Sequence, residues 1–388
     1  MKKVLIAEIA ILVILIGVAV GFVLGEDSPK DVPAMQTQPI QLSQTEHTQQ
    51  TLPTTQEVTQ ATTLPEETTL PEETTLPEET TVCTEPETVE ITWMTFDKDR
   101  EMESPRYFLY DVDRAQYVFC SEDTDEERRE AVYPASVTKL FTCYVVMQYL
   151  QPDTVLTVGD ELNLVPWDSS IAWLKKGDQL TVSQLIAGLL LPSGNDAAHV
   201  LAVNTGRAIL GDPNAGYNTA LEAYMEEMNR LAREVGMTGS HFCTPDGYHR
   251  EDHYMCLDDL ALLGVLSVNN PTVMSVAGTL QTDETFVFAA QRDEESGYPE
   301  PGQWKNTNAL INPESEFYCP YATGLKTGMT SAAGACLLSA FEIQGRRFVA
   351  GAFGAQDGHA RFRDVLNMFN LALEREFKVV IPTGEDHG

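Results

Sequence analysis

The stretch Tyr133-Pro134-Ala135-Ser136-Val137-Thr138-Lys139-Leu140 opens an apolar helical run and holds the only Ser-x-x-Lys motif in the chain. Proline favours the first turn of a helix. Apolar residues then keep helical spacing until Gln151-Pro152 ends the run: Leu140, Cys143, Tyr144, Met147 and Leu150. Residues three apart on a helix lie one turn apart on the same face. We therefore expect the Ser136 hydroxyl, in the first turn, to lie beside the Lys139 amine.

Two more short motifs follow in order, Ser193-Gly194-Asn195 and Lys326-Thr327-Gly328. The first comes directly after the apolar run Leu189-Leu190-Leu191-Pro192, so it is expected in a loop before the next helix. The second is the only Lys-Thr-Gly in the chain and precedes two runs with strand character. Another Ser-x-Asn, at residues 267–269, ends an apolar helical run before Asn270-Pro271 and is interpreted as helix termination.

The residue types in these motifs suit acyl transfer. A serine hydroxyl becomes nucleophilic when a base removes its proton, and lysine can be that base when desolvation or a neighbouring cation lowers its pKa. We expect Lys326 to be that cation. The amino terminus of the helix directs partial positive charge and N–H groups at Ser136, which favours an oxyanion there.

The remaining motif residues suit a peptide substrate that ends in a carboxylate. Ser193 can relay a proton between Lys139 and a leaving amine, and Asn195 can hold a substrate amide and the lysine. Lys326 and Thr327 can bind a carboxylate, while Gly328 would let the substrate backbone approach the strand. The structural alternative is that Ser136 and Asn195 cap helices and that residues 326–328 form a turn.

The folded part is expected to span residues 91–388 and to have an α/β fold, an antiparallel sheet packed by helices with a helical subdomain. Alternating runs predict a hairpin over 106–119 and another over 335–353. Apolar periodicity predicts helices between them and one after them. These helices cover residues 182–191, 196–210, 217–235, 257–266 and 361–377.

Residues 1–25 are predicted to anchor the chain in a membrane. Lys2 and Lys3 precede an apolar run from Val4 to Gly25 that only Glu8 interrupts. Twenty-two helical residues at about 1.5 Å each cross a bilayer core. The run is longer than a signal-peptide core and no clear Ala-x-Ala site follows, so an uncleaved anchor is favoured over a signal peptide. The predicted location is the cell membrane with the catalytic domain extracytoplasmic, or secretion if the segment is cleaved.

Residues 26–90 are predicted to be a disordered linker. The hexad Thr-Thr-Leu-Pro-Glu-Glu repeats at Thr62, Thr68 and Thr74. Such a segment buries too little apolar surface to fold, and proline with like charges keeps it extended. At about 3 Å per residue it could span about 200 Å.

Charge and cysteine content narrow the functional classes. The formal net charge is −33, which argues against a nucleic-acid partner because that partner needs a basic surface. The seven cysteines show no paired spacing, and their odd number leaves at least one unpaired. Cys83 stands alone in the linker and could be free, lipid-modified or disulfide-linked to another chain. His249 and His253 have the i, i+4 spacing of metal ligands but no apparent third ligand, so neither a metal nor a cofactor is predicted.

The chain resembles the serine-type D-Ala-D-Ala carboxypeptidases, the low-molecular-mass penicillin-binding proteins of the β-lactamase/transpeptidase-like superfamily. The resemblance covers about residues 105–375. It is carried by five stretches: residues 133–140, 193–198, 306–310, 324–330 and 240–247 with Asp258-Asp259-Leu260-Ala261.

This resemblance implies a penicillin-binding enzyme of cell wall remodelling that removes the terminal D-Ala from peptidoglycan pentapeptide stems. It implies acylation of Ser136, Lys139 as base, and proton transfer and substrate holding by Ser193 and Asn195. It further implies carboxylate binding by Lys326 and Thr327. The oxyanion hole would be the backbone N–H groups of Ser136 and Met329. Peptidoglycan stem peptides would be substrates and β-lactams inhibitors.

Two departures from the family pattern stand out. Many members carry a second, β-rich carboxy-terminal domain with an amphipathic tail, whereas about a dozen residues follow the last predicted helix here. We therefore expect anchoring at the amino terminus. Some members have an arginine where Thr307 stands, so a substrate contact by that guanidinium is absent.

Rival functions remain open. A β-lactamase would share Ser136 and Lys139, but Gly194 stands where class A enzymes have aspartate, and no Glu-x-x-x-Asn string follows. A peptidoglycan endopeptidase would use the same acyl-enzyme, and transfer of the acyl group to an amine instead of water is a further variant. A non-catalytic wall-binding scaffold is the alternative from another class.

Overall fold

A computed structural model describes residues 101–291 and 302–377 of the protein. Five antiparallel strands form its central sheet. The strand order is β2-β1-β9-β8-β7. The strands are β1 (Arg106–Asp111), β2 (Gln116–Cys120), β7 (Ala322–Thr330), β8 (Gly334–Ile343) and β9 (Arg346–Ala355). Two small ribbons pair β3 (Val155–Thr157) with β4 (Gln179–Thr181) and β5 (Gln281–Asp283) with β6 (Gln303–Lys305). The predicted anchor, the linker and Cys83 lie outside the described residues.

Most of the helices lie, in sequence, between strands β1–β2 and strands β7–β9 of the sheet. They are α1 (Asp125–Arg128), α2 (Thr138–Tyr149), α3 (Val182–Leu190), α4 (Asn195–Leu210), α5 (Tyr217–Glu234), α6 (Leu257–Val268) and α7 (Pro271–Ala277), with α8 (Ala360–Phe377) after the sheet. The four helices predicted between 182 and 266 are confirmed to within two residues at each end. Asn270 caps α7 through its side chain, in agreement with helix termination at the second Ser-x-Asn.

The sheet separates two hydrophobic cores because successive strand residues point to opposite faces. On β1, Phe108 belongs to the core shared with α2 to α7, whereas Leu109 belongs to the core beneath α8. In the second core the ring of Phe369 stacks on Phe341 with centroids 4.2 Å apart. The predicted antiparallel sheet packed by helices, with a helical subdomain, is thus confirmed.

Strand β7 lies at the edge of the sheet and carries the third motif. Lys326 pairs with Leu338 of β8, and Gly328 pairs with Cys336. The short 3₁₀ turn Ala135–Val137, which leads directly into α2, packs against this strand. The first and third motifs therefore meet where the edge strand passes the start of α2.

Within residues 101–291 and 302–377, no single helix is long and apolar enough to cross a bilayer. Helices α6 and α7 reach the required length and apolarity only as a pair, and they are bent by 94° at their junction.

Candidate active site

Ser136 lies in a 3₁₀ turn, one step before the α-helix in whose first turn the sequence placed it. The turn begins with Ala135 at a φ of +48°, a backbone conformation that turns the chain sharply ahead of α2. Gly247 packs against this turn with a φ of +79°, and a Cβ added there would lie 1.9 Å from the Ala135 carbonyl oxygen. Only glycine meets both requirements, so Gly247 holds the serine turn in place.

Lys139, in the first turn of α2, is fully buried and joins the first motif to the second. Its Nζ donates to Ser136 Oγ at 2.8 Å, to Asn195 Oδ1 at 2.7 Å and to the main-chain oxygen of Asp246 at 2.8 Å. These three bonds use all the N–H groups of an ammonium. Burial lowers the pKa of Lys139 to about 8, although the carboxylates of Asp246 and Asp196 act in the opposite direction. Near neutral pH this amine can therefore exchange a proton with the serine hydroxyl.

Burial is the largest cause of the lowered pKa of Lys139, and the added effect expected of Lys326 as a neighbouring cation stays a prediction. The pKa of Lys326 itself lies well below its ordinary value because the side chain is buried and because Lys139 and Arg361 are positively charged neighbours. Its Nζ donates to the main-chain oxygen of Thr327 at 2.9 Å. In both lysines, removal from water is the largest cause of the lowered pKa.

The second motif supplies Asn195 to the site. Its Oδ1 accepts from Lys139, and its Nδ2 donates to Ser169 Oγ at 3.0 Å. Ser193 adopts a φ of +65° in the sharp turn between α3 and α4, and its carbonyl oxygen accepts from Ser170 Oγ at 2.7 Å. The hydroxyl of Ser193 is not among the three partners of the Lys139 amine. The structure thus joins Ser136, Lys139 and Asn195 by hydrogen bonds, and the proton relay through Ser193 stays a prediction.

Gly328 is explained by the protein's own packing. A Cβ at this position would lie 2.9 Å from both the Pro134 carbonyl oxygen and the Ser136 nitrogen, and 3.0 Å from the Ala135 Cβ. The expected reason, approach of a substrate backbone, is therefore not needed, because the serine turn already occupies that space. The next residue, Met329, is 59% exposed and lines the same cleft as Ser136. Both residues predicted to form the oxyanion hole thus border the cleft, and that role stays a prediction.

Four buried or partly buried ionisable residues around the motifs were not identified from the sequence as part of the site. They are Asp196, Asp246, His253 and Arg361. Asp196 accepts from the backbone N–H groups of Ala172 at 2.8 Å and Leu174 at 3.0 Å, which ties the second motif to the preceding loop. Arg361 of α8 donates to the Gly328 carbonyl oxygen at 2.8 Å and supports the third motif from behind. The sequence signal that could have pointed to Asp246 is its place between a proline and a glycine, in the stretch Pro245-Asp246-Gly247.

Asp246 places a buried negative charge behind Lys139. Burial raises the pKa of its carboxyl, but His199 and Lys139 lower it by more, so the pKa lies well below the usual range. The Oδ2 atom lies 3.5 Å from His199 Nε2, and Oδ1 accepts from the Tyr248 N–H at 2.9 Å. The charge of this carboxylate favours the protonated form of Lys139.

His253 is held as a neutral ring and does not pair with His249 as a metal-ligand pair on a helix. Its Nδ1 accepts a hydrogen bond from the Cys243 backbone N–H at 3.1 Å, and its Nε2 lies 2.9 Å from Thr138 Oγ1. Burial lowers the pKa of His253 to about 4. Nε2 therefore contacts Thr138, the first residue of α2, whereas Nδ1 holds the backbone at Cys243, and His249 lies in a loop.

An open cleft of about 820 Å³ leads to Ser136. Asn195, Tyr248 and Met329 contribute to its walls, and the Tyr248 hydroxyl donates to Asp168 Oδ1 at 3.0 Å. Lys326 and Thr327 are buried and do not line this cleft. Thr327 Oγ1 lies 2.5 Å from the hydroxyl of Thr307, the residue that stands where some members of the resembled family have an arginine. The cleft is large enough for a peptide end.

The sequence profile of the peptidase S11 family, described as D-alanyl-D-alanine carboxypeptidase, matches residues 94–357. The chain belongs to this D-alanyl-D-alanine carboxypeptidase family. All three motifs lie within the matched region.

The chain is similar in sequence to curated D-alanyl-D-alanine carboxypeptidases. The D-alanyl-D-alanine carboxypeptidase DacF of Bacillus subtilis is 26% identical over 65% of this chain and 58% of its own length. The D-alanyl-D-alanine carboxypeptidase DacC of Escherichia coli is 29% identical over 66% of this chain and 59% of its own length. The chain thus spans less than two thirds of the length of these relatives.

Solved structures of family members and related proteins share the fold. The Streptomyces K15 DD-transpeptidase superposes with a TM-score of 0.59 at 25% identity, covering 70% of this chain and 97% of the other. Penicillin-binding protein D2 of Listeria monocytogenes, solved in an ampicillin-bound form, has a TM-score of 0.54 at 21% identity, covering 71% and 99%. The likeness therefore extends over nearly the whole of both solved chains.

Proposed function

We propose that this chain is a serine-type D-Ala-D-Ala carboxypeptidase that removes the terminal D-Ala from peptidoglycan pentapeptide stems and binds penicillin covalently at Ser136. The observation that carries the proposal is the buried Lys139 amine, 2.8 Å from Ser136 Oγ and held by Asn195. A hydroxyl paired with a desolvated amine at the wall of an open cleft is a nucleophile paired with its base.

In the first half of the reaction, Lys139 takes the proton of Ser136 as Oγ attacks the carbonyl carbon of the penultimate D-Ala. The backbone N–H groups of Ser136 and Met329 bind the resulting oxyanion. Collapse of the intermediate breaks the amide bond, and the leaving D-Ala nitrogen receives the proton from Lys139, with Ser193 as relay. The products are an acyl ester on Ser136 and free D-Ala.

In the second half, water attacks the ester carbonyl while Lys139 accepts its proton. The ester bond breaks, Ser136 Oγ regains a proton, and the shortened stem leaves. A β-lactam enters by the same first half, but its leaving amine stays tethered to the acyl group.

Lys326, Thr327 and Gly328 are proposed to form the carboxylate-binding side of the site. A substrate carboxylate next to Lys326 would favour its protonated form, opposing the effect of burial. The hydroxyl of Thr327, now paired with Thr307, would supply a hydrogen bond.

The test is D-Ala release from a synthetic pentapeptide stem by the purified full chain, with and without penicillin. We expect release that penicillin blocks, and mass addition of one penicillin at Ser136. Ser136→Ala should lose both, whereas Ser275→Ala, which removes an exposed hydroxyl on α7, should retain both. Persistent labelling of Ser136→Ala would contradict the assignment.

The same assay separates the rival enzymes. Fast hydrolysis of penicillin itself would indicate a β-lactamase, cleavage of cross-linked dimers an endopeptidase, and transfer of the acyl group to added amines a transpeptidase. A chain that binds stems but neither releases D-Ala nor takes up penicillin would be a wall-binding scaffold.

We further propose that residues 1–25 anchor the chain in the cell membrane and that residues 26–90 carry the catalytic domain away from it. The support is the length and apolarity of the run from Val4 to Gly25. The full chain should stay with membranes after an alkaline wash, and a variant lacking residues 2–25 should not. Release of the full chain by the wash would contradict the anchor.

A further inference from the structure

A cluster of three potential metal ligands lies outside the catalytic cleft. His241 Nδ1, Cys243 Sγ and a carboxylate oxygen of Asp252 all lie within 4.8 Å of one another. His241 and Asp252 are exposed, whereas Cys243 is half-buried. None of the three lines the cleft at Ser136. From this geometry we propose that His241, Cys243 and Asp252 bind a zinc ion.

One distance within the cluster matches the geometry of a zinc site. Cys243 Sγ lies 3.5 Å from His241 Nδ1. A tetrahedral zinc ion with a Zn–S bond of about 2.3 Å and a Zn–N bond of about 2.0 Å holds its sulfur and nitrogen ligands about 3.5 Å apart. The combination of nitrogen, sulfur and oxygen is one that zinc accepts, while a thiolate disfavours magnesium and calcium. The exposed side of the cluster leaves room for a water molecule as the fourth ligand.

The backbone holds the ligands in place before any ion binds. The His241 N–H donates to the Tyr254 carbonyl oxygen at 2.9 Å, and the Tyr254 N–H donates back to His241 at 3.0 Å. The Cys243 N–H donates to His253 Nδ1 at 3.1 Å. The two chain segments are thereby fixed to each other, and the His241 ring or the Asp252 peptide has to turn to admit the ion, because the Asp252 carbonyl oxygen lies 2.6 Å from Nδ1.

Without an ion, His241 Nδ1 and Cys243 Sγ both form hydrogen bonds to the same oxygen atom. The Asp252 carbonyl oxygen lies 2.6 Å from His241 Nδ1 and 3.4 Å from Cys243 Sγ. On binding, the imidazole moves its proton from Nδ1 to Nε2, and the thiol proton leaves to solvent as the Zn–S bond forms.

The site closes a loop that reaches the catalytic centre. Cys243 and Asp252 stand at the two ends of residues 243–252, and within this loop the Asp246 carbonyl oxygen accepts from Lys139. Gly247, Tyr248 and His249 of the same loop line the catalytic cleft. A bound ion would therefore fasten one wall of the cleft at its base.

The test is titration of the chelator-treated full chain, kept reduced and in mild detergent, with Co²⁺ as a spectroscopic probe and then with Zn²⁺. We expect one Co²⁺ with a thiolate-to-metal charge-transfer band, which Zn²⁺ displaces. Cys243→Ser should lose the band, and Asp252→Asn should weaken binding more than about 10-fold, the least that loss of even a supporting group around a metal costs. Cys120→Ser, which removes a half-buried thiol from β2, is the matched control and should retain the band.

Thermal unfolding gives a second readout that needs no cysteine signal. Zn²⁺ at about 100 times the wild-type Kd should raise the Tm of the wild type and of Cys120→Ser by roughly 5 °C, should raise that of Asp252→Asn by about half as much or less, and should leave that of Cys243→Ser unchanged. A wild type without the charge-transfer band, or a band that survives at full strength in a folded Cys243→Ser, would overturn the proposal. If Cys243→Ser fails to fold, Asp252→Asn decides alone, because its side chain is exposed and its change is isosteric.

Discussion

Lys139 is the residue whose environment decides whether the site can act near neutral pH. The fold surrounds its amine with one hydroxyl, one carboxamide and one main-chain oxygen, and it removes water. Burial brings the pKa to about 8, a value at which an appreciable share of the amine is a free base. The lysine therefore becomes a base through desolvation.

The pH dependence of penicillin acylation should follow the neutral fraction of Lys139. A base with a pKa of about 8 gains neutral form as pH rises. The second-order acylation rate constant should therefore increase about tenfold per pH unit below 8 and level off above it. Lys139→Ala should lower the plateau by about 10²- to 10⁴-fold. A flat profile from pH 6 to 9 would remove Lys139 as the base.

Asp246→Asn should move the rising limb of that profile to lower pH. The carboxylate of Asp246 favours the ammonium form of Lys139, so its removal lowers the pKa of the lysine further. The amide preserves both the acceptor for the Tyr248 N–H and the main-chain oxygen that binds Lys139. Asp168→Asn, the same change at an exposed position of the cleft, should shift the limb less because water screens its charge.

Lys326→Ala should distinguish substrates by their carboxyl end. A substrate with a free terminal carboxylate would lose its charge-assisted contact, whereas one with an amidated terminus has no such contact to lose. We therefore expect kcat/KM to fall by a factor at least about 10 times larger for the free acid. Equal losses for both substrates would place Lys326 outside carboxylate binding.

Among the elements, the contact between β7 and the 3₁₀ turn of Ser136 decides the geometry of the site. The strand carries Lys326 and Met329, the turn carries the nucleophile, and Gly328 is the point where they touch. Because Gly328 has no side chain, the backbone of the strand can lie against the turn that carries Ser136.

Gly328→Ala should therefore impair catalysis more than stability. The added methyl group would force the strand and the turn apart at a cost of about 1–3 kcal/mol. A displacement near 1 Å in the reacting groups lowers rates by about 10²-fold. Penicillin acylation should fall by that factor while far-ultraviolet circular dichroism is unchanged. Gly216→Ala, where a Cβ meets open space, is the matched control and should acylate normally.

At the scale of the whole molecule, the sheet divides the protein into a core next to the serine and lysine of the site and a core on the opposite face, beneath α8. Phe141 lies on α2, two residues after Lys139, in the first core. Phe369 lies on α8 in the second. Both side chains are fully buried.

A phenylalanine-to-alanine substitution should lower stability in either core but should lower activity only in the core next to the site. Phe369→Ala and Phe141→Ala should each cost about 3–5 kcal/mol of unfolding free energy, measured by urea denaturation. At a temperature where both are folded, Phe369→Ala should acylate within about twofold of the wild type because it lies on the far side of the sheet. Phe141→Ala should acylate more slowly, since the cavity lies beneath the helix that holds Lys139. Equal acylation by the two variants would show that the cores do not differ in this way.

The sequence alone predicted strands at both ends with helices between them, and it identified the motif residues, but it did not reveal the ribbons β3–β4 and β5–β6. Apolar periodicity located α3 to α6, alternation located the hairpins β1–β2 and β8–β9, and the spacing of Ser136 and Lys139 was enough to bring them together. These features depend on residues near one another in the chain, where local geometry fixes which side chains share a face.

Tertiary structure decided everything that depends on distant parts of the chain. Burial lowers the pKa of Lys139, the serine turn explains Gly328, and Asp246 lies behind the lysine although 107 positions separate them. The pairing of His241 and Cys243 with Asp252 likewise follows from the backbone bridge between His241 and Tyr254. Desolvation and close packing depend on which surfaces meet in the fold, so no local pattern in the sequence could reveal them.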